Sequence, residues 1–182
     1  AFSDPGLLSS HQVFIDWGDG NFSTSPVLDV GRRSFGALHR YDDDNPSGTP
    51  ADDYQIAVRV VDDDQLSGEA QSAIRVNNLS PSMSNLFVTG QIDEGGEVTL
   101  SGSIVDPGVE DEFTLLVDWG EGPVEEFSYA AGTTSFSEAH TYLDDNPTGT
   151  AQDVYPVHVT LRDDDTGEYT VESSTLVRNV SP

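Results

Sequence analysis

The feature that most constrains the fold of this chain is an internal repeat with a spacing of about one hundred residues. The segment HRYDDDNPSGTPADDY at 39–54 aligns with HTYLDDNPTGTAQDVY at 140–155, so that Asn45 and Asn146 lie 101 positions apart. Upstream the spacing becomes 102, where DWGDG aligns with DWGEG. A duplication of this length within 182 residues predicts two small domains, each with a core of its own.

The boundary between the two copies is predicted inside NNLSPS, which gives domains at 1–81 and 82–182. Residues 82–102 have no counterpart in the first copy, because Ala1 aligns with Ser103. We therefore expect a complete second domain and a first domain that lacks its N-terminal strands. In the parent protein, upstream sequence would supply the missing strands.

Alternating apolar residues predict strands throughout the chain and no helix. HQVFIDW at 11–17 and YPVHVTLRD at 155–163 each place apolar side chains on one face. Clusters of Gly, Pro, Asn and Asp interrupt such segments about every ten residues. This pattern is typical of an all-β protein built from antiparallel β-sandwiches.

The composition narrows the setting in which the chain works. Its formal charge is −26, divided into −8 for residues 1–81 and −18 for residues 82–182, so nucleic acid and anionic membrane surfaces are poor partners. No apolar run is long enough to insert into a membrane. The chain has no cysteine, which excludes disulfides and thiol chemistry, and all seven basic residues are arginine.

Together these motifs resemble the polycystic-kidney-disease (PKD) repeat, an immunoglobulin-like extracellular domain that occurs in tandem. The glycine-rich turn of that family is matched at 16–20 and 118–122, and its His-x-Tyr motif at 39–41 and 140–142. The resemblance implies a structural or adhesive module without catalysis, located in a secreted or cell-surface protein. One departure is a loop of about a dozen residues after His-x-Tyr, where the family usually turns tightly.

The residues themselves also argue against an enzyme. Asp16 and Asp118 belong to different domains, so they cannot face each other across one glycosidic bond. Tyr41 and Tyr142, each two positions after a histidine, are predicted to form a corner in which the hydroxyl satisfies nearby backbone.

The two acidic loops are candidate calcium sites, because each spaces oxygen ligands as the first half of an EF-hand loop does, with glycine at the sixth position. The position of the bidentate glutamate holds tyrosine, so a neighbouring aspartate would have to replace it. Ordinary turn chemistry is the alternative, and three consecutive acids favour calcium. The candidate ligands are Asp43, Asn45, Ser47, Thr49 and Asp52 (or Asp53) in the first loop, and Asp144, Asn146, Thr148, Thr150 and Asp153 in the second.

A second candidate calcium cluster lies at the DDD runs, 62–64 and 163–165. Three adjacent aspartates repel one another, and a cation would relieve that repulsion, although a solvated acidic turn is the alternative. Some PKD-family members hold calcium at this end of the sandwich. By position, the resemblance implies Asn78, Asp106, Glu110 or Asp111, and Asp163 or Asp165 in the second copy, and Asp4, Asp62 and Asp64 in the first.

The function predicted from the sequence is that of a calcium-stabilised structural or adhesive spacer. Its partners would be neighbouring repeats of the same protein, with other cell-surface proteins or polysaccharide as further candidates. A carbohydrate-binding accessory module of a secreted hydrolase, using Phe22, Phe127 or Tyr129, is the alternative. A self-associating lattice component is a third class.

Overall fold

The computed structural model describes residues 1–146 and 148–181, so Pro147 in the second acidic loop and Pro182 lie outside the described residues. The described part divides into two compact units, residues 1–44 with 51–77 and residues 45–50 with 78–181. It contains no helix long and apolar enough to span a membrane. The domain boundary predicted between residues 81 and 82 stays a prediction.

The first unit contains the strands β1 His11–Asp16, β2 Phe22–Thr24, β3 Ala51–Asp62 and β4 Ser67–Asn77, which form one antiparallel sheet in the order β2-β1-β3-β4. Its core is small: Val13, Ile15 and Leu28 are buried, with Phe2, Phe35 and other apolar side chains partly buried against them. The strand β4 is exposed along almost its whole length. Among its described residues the first unit therefore has a sheet without a facing sheet.

The second unit has two sheets. Its strands are β5 Ser82–Val88, β6 Gln91–Asp93, β7 Glu97–Val105, β8 Phe113–Asp118, β9 Glu125–Tyr129, β10 Ser135–Thr141, β11 Gln152–Asp163 and β12 Glu168–Arg178. One sheet has the order β10-β7-β5 and the other β6-β12-β11-β8-β9. Every pairing is antiparallel except that of β6 with β12, which is parallel.

The alternation of side chains along the strands builds the core of the second unit. In β8 every second residue is buried, because successive side chains point to opposite faces. The buried set draws on both sheets: Val98, Leu100, Ile104, Phe113, Leu115, Val117, Trp119, Phe136, Tyr142, Tyr155, Val157, Val159, Leu161 and Val177. The prediction of an all-β antiparallel sandwich is confirmed.

Both units contain the predicted tyrosine corner. The Tyr142 hydroxyl donates to the carbonyl of Trp119 over 2.6 Å, and the Tyr41 hydroxyl donates to the carbonyl of Trp17 over 2.8 Å. In the second unit His140 stacks on Trp119 with ring centroids 5.0 Å apart. The histidine, tyrosine and tryptophan of each motif are thus packed together, as a structural role requires.

Candidate metal centre

Strand pairing brings the predicted strand-end acids of the second unit together. β7 ends one residue before Asp106, and Phe113 at the start of β8 pairs with Asp163 at the end of β11. The loop between β7 and β8 therefore carries Asp111 to the same end of the sandwich as Asp163. Carboxylate oxygens of Asp106, Asp111 and Asp163 all lie within 4.8 Å of one another.

Asp111 also belongs to a second group at this end. Carboxylate oxygens of Asp111, Asp164 and Asp165 lie within 4.8 Å of one another. Asp111 and Asp165 are only 2% and 4% exposed, whereas Asp164 is open to solvent. We call these five aspartates, at 106, 111 and 163–165, the strand-end cluster.

Asp163 and Asp164 of the strand-end cluster accept hydrogen bonds from neutral donors. Asp163 accepts through Oδ2 from the Asn78 side-chain amide over 2.8 Å and through Oδ1 from the backbone of Gly167. Asp164 accepts from the backbone N–H of Glu112 over 2.9 Å. In residues 1–146 and 148–181 no arginine or histidine forms an ion pair with Asp163 or Asp164. Neutral donors stabilise carboxylates without cancelling their charge.

Two glycines allow the carboxylates to approach the backbone this closely. The N–H of Gly108 donates to Asp106 Oδ1 over 2.8 Å, and a side chain at Gly108 would collide with the carboxylate of Asp111. A side chain at Gly167 would collide with Asp163 in the same way. In the DPG and DDDTG sequences, the glycine thus leaves room for a nearby aspartate carboxylate.

The chemistry of this donor set fits a hard divalent cation. Calcium takes six to eight oxygen ligands in flexible geometry, from carboxylates, amide carbonyls and water. Buried, like-charged carboxylates at this spacing destabilise one another unless they are protonated or bound to a cation. Of the predicted strand-end residues in the second unit, the structure brings Asn78, Asp106, Asp111, Asp163 and Asp165 to one place.

The corresponding end of the first unit is arranged differently. Asp4, which aligns with Asp106, forms an ion pair with His11 over 2.8 Å and lies 3.7 Å from the guanidinium of Arg33. Its other oxygen accepts from the backbone of Gly6 over 2.8 Å. The Gly6 hydrogen bond is the largest effect on the pKa of Asp4, and with the His11 bond it outweighs desolvation and lowers that pKa. Asp4 therefore has a histidine, an arginine and a backbone N–H of its own unit as partners.

The other predicted ligands of the first strand end have local partners or are exposed. Asp62 accepts from the backbone N–H of Leu66 over 2.8 Å, and Asp64 is exposed. Within the described ranges no group of three carboxylates includes Asp4, Asp62 or Asp64. Calcium binding at these three residues stays a prediction.

In the second acidic loop the predicted ligands bond to one another. The Thr148 hydroxyl donates to Asp153 over 2.7 Å and lies 2.6 Å from the Thr150 hydroxyl, which donates to the carbonyl of Gln152. Asn146 is exposed beside the undescribed Pro147. Calcium binding at this loop stays a prediction.

The first acidic loop has a similar local bond. The Ser47 and Thr49 hydroxyls lie 2.7 Å apart. The backbone carbonyl of Asp43 accepts from Tyr54, as that of Asp144 does from Tyr155. Among the remaining candidates, Asn45 donates to Glu110, and both residues lie in the second unit. Asp52 is half-buried in β3, and Asp53 pairs with Arg75.

One acid of the second loop has partners that the sequence analysis missed. Carboxylate oxygens of Asp144, Asp145 and Glu94 lie within 4.8 Å of one another. Asp145 is adjacent to a predicted ligand but falls between the EF-hand positions. Glu94 is fifty positions earlier, and no local pattern connects it to the loop. We call these three residues the loop cluster.

The aromatic residues proposed as a carbohydrate platform do not share one exposed surface. Phe22 is 72% exposed, whereas Phe127 and Tyr129 are partly buried against the core of the second unit. The Tyr129 hydroxyl donates to Glu138. Two of the three side chains therefore pack inside their own domain.

No protein-family model and no curated protein matches the chain. Among solved structures it is similar to the PKD domain of an M14-like peptidase from a Thermoplasmatales archaeon, at 20% identity and a TM-score of 0.44, over 57% of this chain and 99% of that one.

The chain is also similar to a tetra-tandem repeat in the extending region of a large adhesion protein, at 12% identity and a TM-score of 0.41, over 94% of this chain and 42% of that one. A third similarity is to domains 4 and 5 of the S-layer protein SbsC, at 11% identity and a TM-score of 0.29, over 93% of this chain and 98% of that one. A PKD domain is thus among the solved structures that this chain resembles. The sandwich architecture itself rests on the strand pairings described above.

Proposed function

We propose that this chain is a pair of tandem structural modules, at 1–81 and 82–182, that calcium stabilises in a secreted or cell-surface protein. The observation that carries the proposal is the strand-end cluster, in which buried carboxylates from three chain segments converge at the end of a sandwich. The ligands we assign are Asn78, Asp106, Asp111, Asp163 and Asp165.

Calcium would act on this module by holding its ends in place. Asp106 follows β7, Asp111 precedes β8 and Asp163 ends β11, so one ion would join three chain segments from both sheets. The net charge of −18 in residues 82–182 adds long-range attraction for a cation. A domain stiffened in this way is suited to spacing or presenting neighbouring repeats.

The test is a comparison of thermal unfolding in excess chelator, in calcium and in magnesium. A ligand that binds only the folded state adds about 2.7 kcal/mol to stability at a hundredfold excess over Kd. We expect calcium to raise the melting temperature more than magnesium does, because magnesium demands a stricter octahedral site.

Asp111→Asn is the variant that separates binding from general charge effects. It should lose most of the calcium response of the strand-end site. Glu126→Gln, which removes one negative charge from the exposed face of β9, should keep it. Melting curves of the wild type that are identical in chelator and in millimolar calcium would overturn the proposal.

A further inference from the structure

The loop cluster, Glu94 with Asp144 and Asp145, lies at the other end of β11 from the strand-end cluster. β11 runs from Gln152 to Asp163, and a strand of this length spans roughly 35 Å. An ion at one cluster would therefore not contact the other. The loop cluster needs its own explanation.

Backbone hydrogen bonds fix Glu94 beside the acidic loop. The N–H of Glu94 donates to the carbonyl of Arg178 at the end of β12 over 2.8 Å. The next residue, Gly95, donates to the carbonyl of Tyr142 over 2.7 Å, and Tyr142 is the corner residue two positions before Asp144. The turn after β6 and the start of the loop are thus joined directly. This pre-organises the three carboxylates without help from a ligand.

Asp145 is the buried member of the cluster and has an unsatisfied oxygen. Its side chain is 4% exposed, and its Oδ2 has no hydrogen-bond partner in the described part of the chain. Burial raises the pKa of Asp145, and the neighbouring Asp144 and Glu94 raise it further. A buried carboxylate oxygen without a donor costs free energy, and each nearby negative charge adds to that cost.

The described residues bring no arginine or histidine into an ion pair with this cluster. Arg178, on the adjacent strand end, pairs with Asp93 over 2.7 Å. Across residues 1–146 and 148–181, no arginine or histidine forms an ion pair with Glu94, Asp144 or Asp145. Glu94 Oε1 accepts from the neutral backbone N–H of Val180 over 2.8 Å.

We propose that Glu94, Asp144 and Asp145 form a second divalent-cation site, separate from the strand-end cluster and suited to calcium. The ion would take the free Oδ2 of Asp145 and one oxygen from each of the other two carboxylates. Water and backbone carbonyls would complete its coordination, since calcium accepts six to eight oxygens. Its structural effect is to join the turn after β6 to the loop before β11.

The experiment is a calorimetric titration of the full chain with calcium chloride after chelator treatment. Asp145→Asn keeps the shape of the side chain and removes its charge, and Glu94→Gln does the same on the other side of the site. Each should remove one binding event that wild type shows. Glu126→Gln should remove no binding event. Asp111→Asn should remove a different event, the one at the strand-end cluster. The titration therefore tests the two proposed sites separately.

Thermal unfolding of the same variants gives a second measurement that does not depend on counting ions. In chelator, Asp145→Asn should melt at or above the wild-type temperature, because it relieves repulsion among the carboxylates. In calcium, Asp145→Asn should melt at a lower temperature than the wild type, because it lacks one of the proposed ligands. An Asp145→Asn variant that binds as many calcium ions as wild type with equal affinity would overturn the proposal, as would an equal loss of stability in both conditions.

Discussion

Residues 34–40 of the first repeat and 135–141 of the second have related sequences, SFGALHR and SFSEAHT, but different secondary structure. The second segment is strand β10, which pairs with β7 over its whole length. The first forms no strand, and Leu38 within it is 98% exposed. Residues 97–102 of β7 have no counterpart in the first copy, because Ala1 aligns with Ser103. A strand requires a neighbour for its backbone groups.

The strand ends of the two repeats differ through a few side chains. Where the second repeat has Asp111 and Phe113, the first has Ser9 and His11 by the spacing of 102. One replacement removes a carboxylate, and the other supplies a histidine that pairs with Asp4. The same fold position therefore holds a cluster of acids in one copy and a single aspartate bonded to a histidine in the other.

Limited trypsin digestion should give the largest difference between the repeats. Between β2 and β3, Arg32 and Arg40 are exposed in backbone without strand structure, whereas Arg162 and Arg178 of the second repeat lie in β11 and β12. Proteases require locally open chain. We expect early cuts between residues 25 and 50 while residues 82–182 stay intact, as mass spectrometry of the fragments would show.

The matched arginines make this comparison direct, because all four side chains are exposed and only the backbone around them differs. A first cut at Arg162 or Arg178 would contradict the expectation. Because no arginine lies between Arg75 and Arg162, the boundary itself needs a protease of broad specificity. With such a protease, a resistant fragment that ends near residue 104 would show that the domain boundary has been placed wrongly.

Substituting each tryptophan tests how much less stable the first core is without a facing sheet. Trp119 is fully buried, whereas its equivalent Trp17 is partly exposed. Trp119→Ala should cost about 3–5 kcal/mol of unfolding free energy, and Trp17→Ala clearly less. Denaturant titration followed by circular dichroism measures each loss.

Each variant carries its own control, since the chain has two tryptophans and the remaining one reports on the unit left unchanged. The fluorescence transition of that tryptophan should stay where it is in the wild type. Equal losses for the two substitutions would mean that the two cores are equally well packed.

The hydrogen bonds that Asp4 accepts from Gly6 and His11 should make the stability of the first unit depend slightly on acid. Because the pKa of Asp4 is lowered in the folded state, its contribution is present above the unfolded value of about 3.9 and is lost as pH falls through the lower folded value. The free energy of unfolding of the wild-type first unit should fall between about pH 4 and pH 2. In Asp4→Asn this fall should be smaller.

An NMR titration of the Asp4 carboxyl tests the cause of this effect. His11→Phe, which copies the second repeat, should move the pKa of Asp4 upward, while the hydrogen bond from Gly6 remains. A wild-type pKa at or above the ordinary aspartate value would show that the bonds from Gly6 and His11 do not stabilise the carboxylate.

Much of the fold could be predicted from local patterns. The alternation in β1, β8 and β11 depends on neighbours along the chain, and the tyrosine corner lies within one short motif. The candidate site was predicted in part: Asp106 and Asp163 lie where predicted strands end, and the resemblance to PKD repeats added Glu110 or Asp111. Glu94 could not be found in this way, because nothing near it in sequence indicates Asp145.

By itself, the sequence determined the duplication, the strands, the acidic strand ends and the shortage of basic residues that could pair with them. Only the tertiary structure decided that residues 135–141 form a strand and that residues 34–40 do not. It alone decided that Asp144 meets Glu94 and Asp145 while Thr148 and Thr150 bond within their own loop. The reason is that strand partners and the burial of charge depend on segments distant in the chain, which local residue patterns do not record.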